Sequence, residues 1–276
     1  MKLPELQNRV AVVTGAGSGI GRSIALLLAR HGAVVHAVDI SAENARAVAA
    51  EVDVAGGRGV PHTVDVSDPA AVERLAAVVY DAESGVDLLF NNAGIGHAGA
   101  VVDTPLEDWR RILDVNLMGV VHGIHAFVPR LLDQGRPAAI VNTASMAGLV
   151  PMAGMVPYAT SKAAVVGLTE GLDAELRPHG IRVSALCPGI IDTAIVRTSV
   201  TRGDWVRRQG RLTNLYATRG ASPDVVARAA LDAVVRKHVI VPTPRAQVTP
   251  MWLLQRWVPG AARAANRGIA RLAARG

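Results

Sequence analysis

A glycine-rich turn set between two apolar runs constrains this chain more than any other stretch. Val10 to Val13 is a short apolar run. Thr14-Gly-Ala-Gly-Ser-Gly-Ile-Gly21 follows it, then Ile24-Ala-Leu-Leu-Leu-Ala29, His31-Gly32 and a second apolar run, Ala33 to Val38, ending in Asp39. The order reads as strand, tight turn, helix, helix stop and strand, which is a βαβ unit. Glycines let the backbone approach a pyrophosphate closely, and the helix N-terminus offers free N–H groups and partial positive charge. The common G-x-G-x-x-G spacing is not met, because counting from Gly15 or Gly17 ends on Ile20 or Arg22; the spacing present is G-x-x-x-G-x-G at Gly15, Gly19 and Gly21. No Gly-Lys-Ser/Thr occurs, which argues against a P-loop triphosphatase. With a strand before it, a helix after it and an acid about 20 residues on, the turn (Gly15, Gly17, Ser18, Gly19, Ile20, Gly21) reads as a dinucleotide site. Asp39 would accept hydrogen bonds from the adenosine ribose and repel a 2′-phosphate. No Arg or Lys stands at Ser18, Ile40 or Ser41, and the nearest cation is Arg22 in the first helical turn, so NAD is favoured over NADP.

The alternation continues without a break in composition. Helical stretches are expected at Ala42 to Ala55, after Ser67-Asp-Pro-Ala, over Glu107 to Leu132 and at Ser222-Pro-Asp-Val to Lys237. Strands are expected at Gly59 to Val64, Val86 to Phe90, Ala138 to Val141, Ile181 to Leu186 and His238 to Val241. This is the pattern of an α/β fold with one doubly wound parallel sheet, whose ligands bind at the carboxyl ends of the strands. Residues 1–244 form one catalytic domain. Within it, 190–220 lacks a strand pattern and is charged, with Trp205, Leu212, Leu215 and Tyr216 interspersed; it is a substrate lid or a surface helical excursion.

Composition narrows the function classes. The single cysteine, Cys187, excludes an internal disulfide and a multi-cysteine metal site. No oxidising compartment is needed, Met1 to Arg9 has no signal-peptide core, and no stretch looks apolar for long enough to span a bilayer, so a cytoplasmic protein is expected. Six of the 29 basic residues are arginines in 245–276, which holds no acid; the rest balance the 23 acids. The body is formally neutral, and nucleic-acid binding is not expected. The extension places Leu254, Val258, Ala261, Ala265, Ile269 and Leu272 on one helical face and Arg256, Arg263, Arg267, Arg271 and Arg275 on another, with Pro259 interrupting early. Such a basic amphipathic helix can lie on an anionic membrane, or pack on a neighbouring subunit or over the active site.

Chemistry is concentrated at Tyr158-Ala-Thr-Ser-Lys162, a phenol and an ammonium one helical turn apart. Pro157 suits the first turn of that helix. A lysine so placed favours the phenolate, so the Tyr158 pKa is expected to fall toward neutrality and the phenol to exchange a proton with a substrate oxygen. His97, His122 and His125 lack partners at metal-ligand spacing, Cys187 reads as a small buried hydrophobe, and Ser145 is in no G-x-S-x-G elbow, so neither a metal site nor a hydrolase is expected.

Thr14-Gly-x-x-x-Gly-x-Gly21, Asn91-Asn-Ala-Gly94, Asn116, Ser145, Tyr158-x-x-x-Lys162 and Pro188-Gly189 together resemble the short-chain dehydrogenase/reductase family, over about residues 7–242. The resemblance implies a homotetramer, with Tyr158 as general acid/base and Lys162 lowering its pKa while bonding the nicotinamide ribose. It also implies that Ser145 polarises the substrate oxygen and that Asn116 holds a relay water. Asn92, Ala93 and Gly94 would lie against the adenosine, Asp65 and Val66 would flank the adenine, and Pro188, Gly189, Ile190 and Thr193 would meet the nicotinamide end. The cleft is expected to be lined by Ile95, Leu149, Val150, Met152, Met155, Ile195 and Trp205, which suits an apolar secondary alcohol or ketone of steroid-like, terpenoid or long-chain type. Alternatives are an NADP-dependent 3-oxoacyl-thioester reductase, against which Asp39 counts, and a non-catalytic dinucleotide sensor or scaffold, which would not need Asn116, Ser145, Tyr158 and Lys162 together.

Overall fold

A computed structural model describes residues 6–275, with side chains described as far as Gly268. Met1 to Glu5, and the side chains of Ile269, Arg271, Leu272 and Arg275 that the tail pattern invoked, lie outside the described residues. In chain order the strands are β1 (Val10–Thr14), β2 (Val34–Asp39), β3 (Arg58–Thr63), β4 (Leu88–Asn91), β5 (His97–Ala98), β6 (Ala138–Thr143), β7 (Ile181–Pro188), β8 (Val200–Thr201) and β9 (Ile240–Thr243). The helices that cover them are α1 (Gly19–Ala29), α2 (Ala42–Val54), α3 (Pro69–Ala82), α4 (Leu106–Leu113), α5 (Gly119–Asp133), α6 (Met146–Leu149), α7 (Val156–Leu176), α8 (Ile195–Thr198), α9 (Trp205–Arg219), α10 (Pro223–Arg236), α11 (Arg245–Trp257) and α12 (Pro259–Arg275).

Seven strands form one parallel sheet in the order β3-β2-β1-β4-β6-β7-β9. This is the Rossmann-type doubly wound sheet of one domain. Its inner strands are largely apolar on both sides because both faces are covered, whereas edge strand β3 is polar and partly exposed. Alternate residues of β1 divide between two cores. Ala11 and Val13 pack with α1, α2 and α10, while Val10 and Val12 pack with α3, α5 and the end of α7. Phe90 and Phe127 are fully buried; burying a side chain of that size is worth about 1.5–3 kcal/mol. The chain reverses its winding between β1 and β4, and a crevice opens there beyond the carboxyl ends of the strands.

Four expectations are corrected. The 190–220 segment does contain a strand: β8 pairs in parallel with β5, with Val200 N–H donating to the Gly96 carbonyl at 3.1 Å and Arg202 N–H to Ala98 at 3.0 Å. Two residues are too few to leave a sequence period. The long helix is not regular: α4 and α5 are joined by a π turn, Asp114–Met118, that carries Asn116. That joined helix, Leu106 to Asp133, is in fact long and apolar enough to cross a membrane by length and composition alone. It is apolar because Ile112, Val120, Phe127 and Leu131 fill the core. The tail is two helices, not one face: Val258 leaves helical geometry at φ −131°, ψ 59°, and Pro259 starts α12 in a new direction.

The helix that bears Tyr158 and Lys162 is tied to the sheet by Asp173. Its Oδ1 accepts from Val183 N–H of β7 at 3.1 Å and its Oδ2 from Arg177 Nε at 3.0 Å. Asp173→Ala strands the buried Val183 N–H and removes both charge-assisted bonds; chemical denaturation should report a loss of about 2–3 kcal/mol. Unchanged stability would show that packing alone holds α7 in place.

Candidate active site

The turn after β1 needs its glycines at particular points. Gly15 and Gly19 have φ of +62° and +52°, the left-handed region that side chains disfavour. A Cβ on Gly15 would lie 2.8 Å from the Ala93 Cα, and one on Gly17 would lie 2.6 Å from an Asp39 carboxylate oxygen. Asp39 is itself fixed by N–H donors, Gly17 at 2.9 Å and Ser41 at 3.0 Å. Ser18 caps α1 without a side-chain bond and the first turn has no acid, so its N–H groups remain for an anion. Arg22 is engaged by Glu51 at 2.6 Å. A cleft of about 580 Å³ opens here, and its wall includes Gly15, Ser18, Gly19, Ile20, Asp39, Asp65, Val66, Asn92, Ala93, Gly94, Pro188, Gly189 and Thr193. Three residues named from sequence stand behind that wall. Gly17 backs Asp39. Gly21 lets α1 pass the Gly15 carbonyl, which a Cβ would meet at 2.1 Å. Ile190 gives its N–H to Gln247 of α11 at 3.2 Å, and Ile191 lines the cleft instead.

The other end of the same cleft holds Ser145, Tyr158 and Lys162. Ser145 caps the one-turn helix α6, its hydroxyl accepting from Ala147 N–H at 3.1 Å, and it lines the cleft together with Tyr158. Lys162 is buried and donates from Nζ to the Thr143 carbonyl at 2.8 Å. Its Nζ stands 5.9 Å from the centre of the Tyr158 ring. The expected lowering of the tyrosine pKa is not found. Burial pushes the phenol up to about 12, opposed by the Ser145 hydroxyl, and burial pulls Lys162 down to about 8. Desolvation sets both shifts, and neither group contributes to the other's; the ammonium is directed at the Thr143 carbonyl rather than at the phenol oxygen. Burial likewise raises the Cys187 thiol to about 12, so it is no nucleophile. Asn116 does not line the cleft. Its amide oxygen accepts from Ile95 N–H at 2.8 Å, and its amide nitrogen donates to the Ile95 carbonyl at 2.9 Å and to Ser161 Oγ at 3.2 Å. It therefore pins the loop after β4, where a Cβ on Gly94 would lie 3.1 Å from the Asn116 oxygen and 3.3 Å from Lys162 Nζ.

A family model described as short chain dehydrogenase matches residues 9–203. The chain belongs to the short-chain dehydrogenase family. Its curated relatives include "Probable oxidoreductase EphD" of Mycobacterium tuberculosis, 43% identical over 263 residues that cover 92% of this chain but 44% of that protein. The chain thus spans less than half the length of that relative. A 1-deoxy-11-beta-hydroxypentalenate dehydrogenase of Streptomyces exfoliatus is 44% identical over 194 residues, covering 70% of each. Among solved structures, a short chain dehydrogenase/reductase from Burkholderia phymatum in complex with NAD superposes with a TM-score of 0.84 at 32% identity, covering 92% of this chain and 94% of that one. The open first turn of α1, the glycine cradle and the fixed Asp39 of this short-chain dehydrogenase fit such a dinucleotide.

The substrate end departs from expectation in detail. Ile95, Met152, Met155 and Ile195 line the cleft, but Leu149 and Val150 turn into the core behind it and Trp205 packs on the Gly154 backbone. Met146, Val196 and Tyr216 line it and were not anticipated; neither was Arg111, one turn before Val115. Arg202 of the 190–220 segment is committed to Asp108 through Nε at 2.6 Å and Nη2 at 2.9 Å. Asn266 of α12 was also missed. It donates to the Pro151 carbonyl at 2.8 Å and accepts from Ala153 N–H at 3.3 Å, so the tail grips the loop that carries Met152. Nothing in an alanine- and arginine-rich helix marks that Asn as a clamp. Asn266→Ala should speed hydrogen exchange of the amides in 151–155 by about tenfold, the worth of roughly one net hydrogen bond, and leave α7 unchanged. Equal exchange in that loop would remove the clamp.

The buried lysine also makes stability depend on pH. Folding lowers its pKa from 10.5 to about 8. Between those values the unfolded chain binds the extra proton, so this group makes stability rise with pH from about 8 to 10.5. Lys162→Met should flatten that rise in urea titrations taken across the window; an identical slope would place the lysine in solvent.

Proposed function

We propose that the chain is an NAD-dependent oxidoreductase that interconverts apolar secondary alcohols and ketones. One observation carries the reading: Asp39 and the glycine turn share a single cleft with Ser145, Tyr158 and Lys162. NAD, when bound, supplies the hydride acceptor or donor; every other task falls to the chain. The first turn of α1 would hold the pyrophosphate and Asp39 the adenosine ribose, where a 2′-phosphate would meet a carboxylate. Gly94 and Lys162 line the cleft side by side, where the nicotinamide ribose would lie. Ser145 and Tyr158 would both hydrogen-bond the substrate oxygen. With its pKa near 12, Tyr158 carries its proton at neutral pH, which is the form that donates to a ketone oxygen. In the oxidative direction Tyr158 must first give up its own proton to solvent, and the phenolate then takes the proton of the alcohol; a Lys162 ammonium, mostly charged below about pH 8, would offset that negative charge.

The walls support an apolar substrate. Ile95, Met152, Met155, Ile195 and Val196 face the cleft, where Arg111 is the arginine in the wall; Arg202 of the 190–220 segment is outside it and paired with Asp108. Flexible methionines accept varied apolar shapes. The relative named for dehydrogenation of 1-deoxy-11-beta-hydroxypentalenate supports a bulky alcohol.

A panel of lipophilic secondary alcohols assayed with both cofactors tests this. Turnover with NAD should exceed that with NADP by more than about tenfold in kcat/KM, roughly 1.4 kcal/mol, and Asp39→Ala should narrow the gap. Preference for NADP, or turnover of small charged sugars with none of lipophilic alcohols, would overturn the proposal.

A further inference from the structure

The extension has two opposed faces. Val248 of α11 is buried and Trp252 packs partly into the core beside Val166 and Cys187. The other side of α11 leaves Met251, Leu253, Leu254, Trp257 and Val258 in solvent, with Trp257 at 74% exposure. Five neighbouring apolar side chains on a free helix face are too many to be incidental surface. Arg256 is on the same helix and Arg263 and Arg267 follow on α12; these three and Arg245, at the start of α11, are all exposed, and among the described residues none of the four is in an ion pair. The whole extension holds no Asp or Glu.

We propose that this ridge docks on an anionic lipid surface, with Trp257 and Leu254 inserted at the headgroup level and the arginines paired with lipid phosphates. The charge pattern selects this occupant. A second copy of the same face would bring arginine against arginine, and a nucleic acid would leave the apolar ridge uncovered. Tryptophan with apolar neighbours and a basic rim is what an interfacial helix requires. The ridge is joined to the cleft, since α12 holds the Met152 loop through Asn266. Docking needs no turnover, so this inference and the catalytic proposal fail independently.

The test is co-sedimentation of the full chain with vesicles of phosphatidylcholine, with and without phosphatidylglycerol. Binding is expected with phosphatidylglycerol only, and it should fade at high salt. Replacing Arg256→Gln and Arg263→Gln should weaken it about fivefold for each charge removed. Leu254→Ser with Trp257→Ser should abolish it while circular dichroism and melting temperature stay put, because both residues are exposed. Absence of binding, equal binding to neutral vesicles, or binding indifferent to these variants would overturn the proposal. So would a wild-type assembly that dissociates on Leu254→Ser/Trp257→Ser, which would make the occupant a second copy, or retention on duplex DNA in preference to vesicles.

Discussion

The site depends on one buried ammonium. Lys162 lies under the cleft with its Nζ bonded to the Thr143 carbonyl, at the carboxyl end of β6. A charge removed from water is costly unless it is hydrogen-bonded, so the strand end and the helix α7 constrain each other. Thr143 in turn donates from Oγ1 to Asn92 Oδ1 at 3.1 Å, and the Asn92 amide donates to the Thr14 carbonyl at 3.1 Å. Thr14 Oγ1 accepts from the N–H groups of Asn92 and Ala93 at 2.9 and 3.0 Å. A continuous polar chain thus runs from the lysine to the glycine turn. The two halves of the cleft are set by the same bonds.

Topology explains why those bonds can form. Residues 14, 92, 143 and 188 are far apart in sequence, yet each lies at the end of a parallel strand, and the winding reverses between β1 and β4. Every loop at that edge faces the same crevice. The sheet supplies rigidity, and the segments after β7 supply the apolar wall. The 190–220 segment is less free than its composition suggests, because β8 is paired with β5 and Arg202 is held by Asp108.

Much of this was legible in the sequence, for physical reasons. Buried parallel strands must be apolar runs, helices show their period, and a backbone that touches phosphate needs glycine at fixed points. The positions of Asp39, Ser145, Tyr158 and Lys162 in one cleft follow from that pattern. What the pattern could not carry was side-chain direction. Leu149 and Val150 differ from Met152 only in which way a loop turns them, and Gly21 differs from Gly15 in what stands opposite its missing side chain. The direction of the Tyr158 pKa shift escapes the sequence for the same reason: spacing puts Lys162 one turn away, but its ammonium is directed to a carbonyl. Nothing in the sequence shows that Asn116 sits in a π turn and that its side chain fastens Ile95.

The central claim is that Tyr158 exchanges the proton while a neighbouring dinucleotide exchanges the hydride. Tyr158→Phe removes one oxygen and leaves the ring in place. With NAD and a lipophilic alcohol that the wild type oxidises, kcat should fall by about 10²–10⁴, the range of a positioned acid/base, while affinity for the reduced cofactor, measured by nicotinamide fluorescence, stays within about twofold. A Tyr158→Phe variant that turns over at the wild-type rate with the cofactor bound as before would contradict the account.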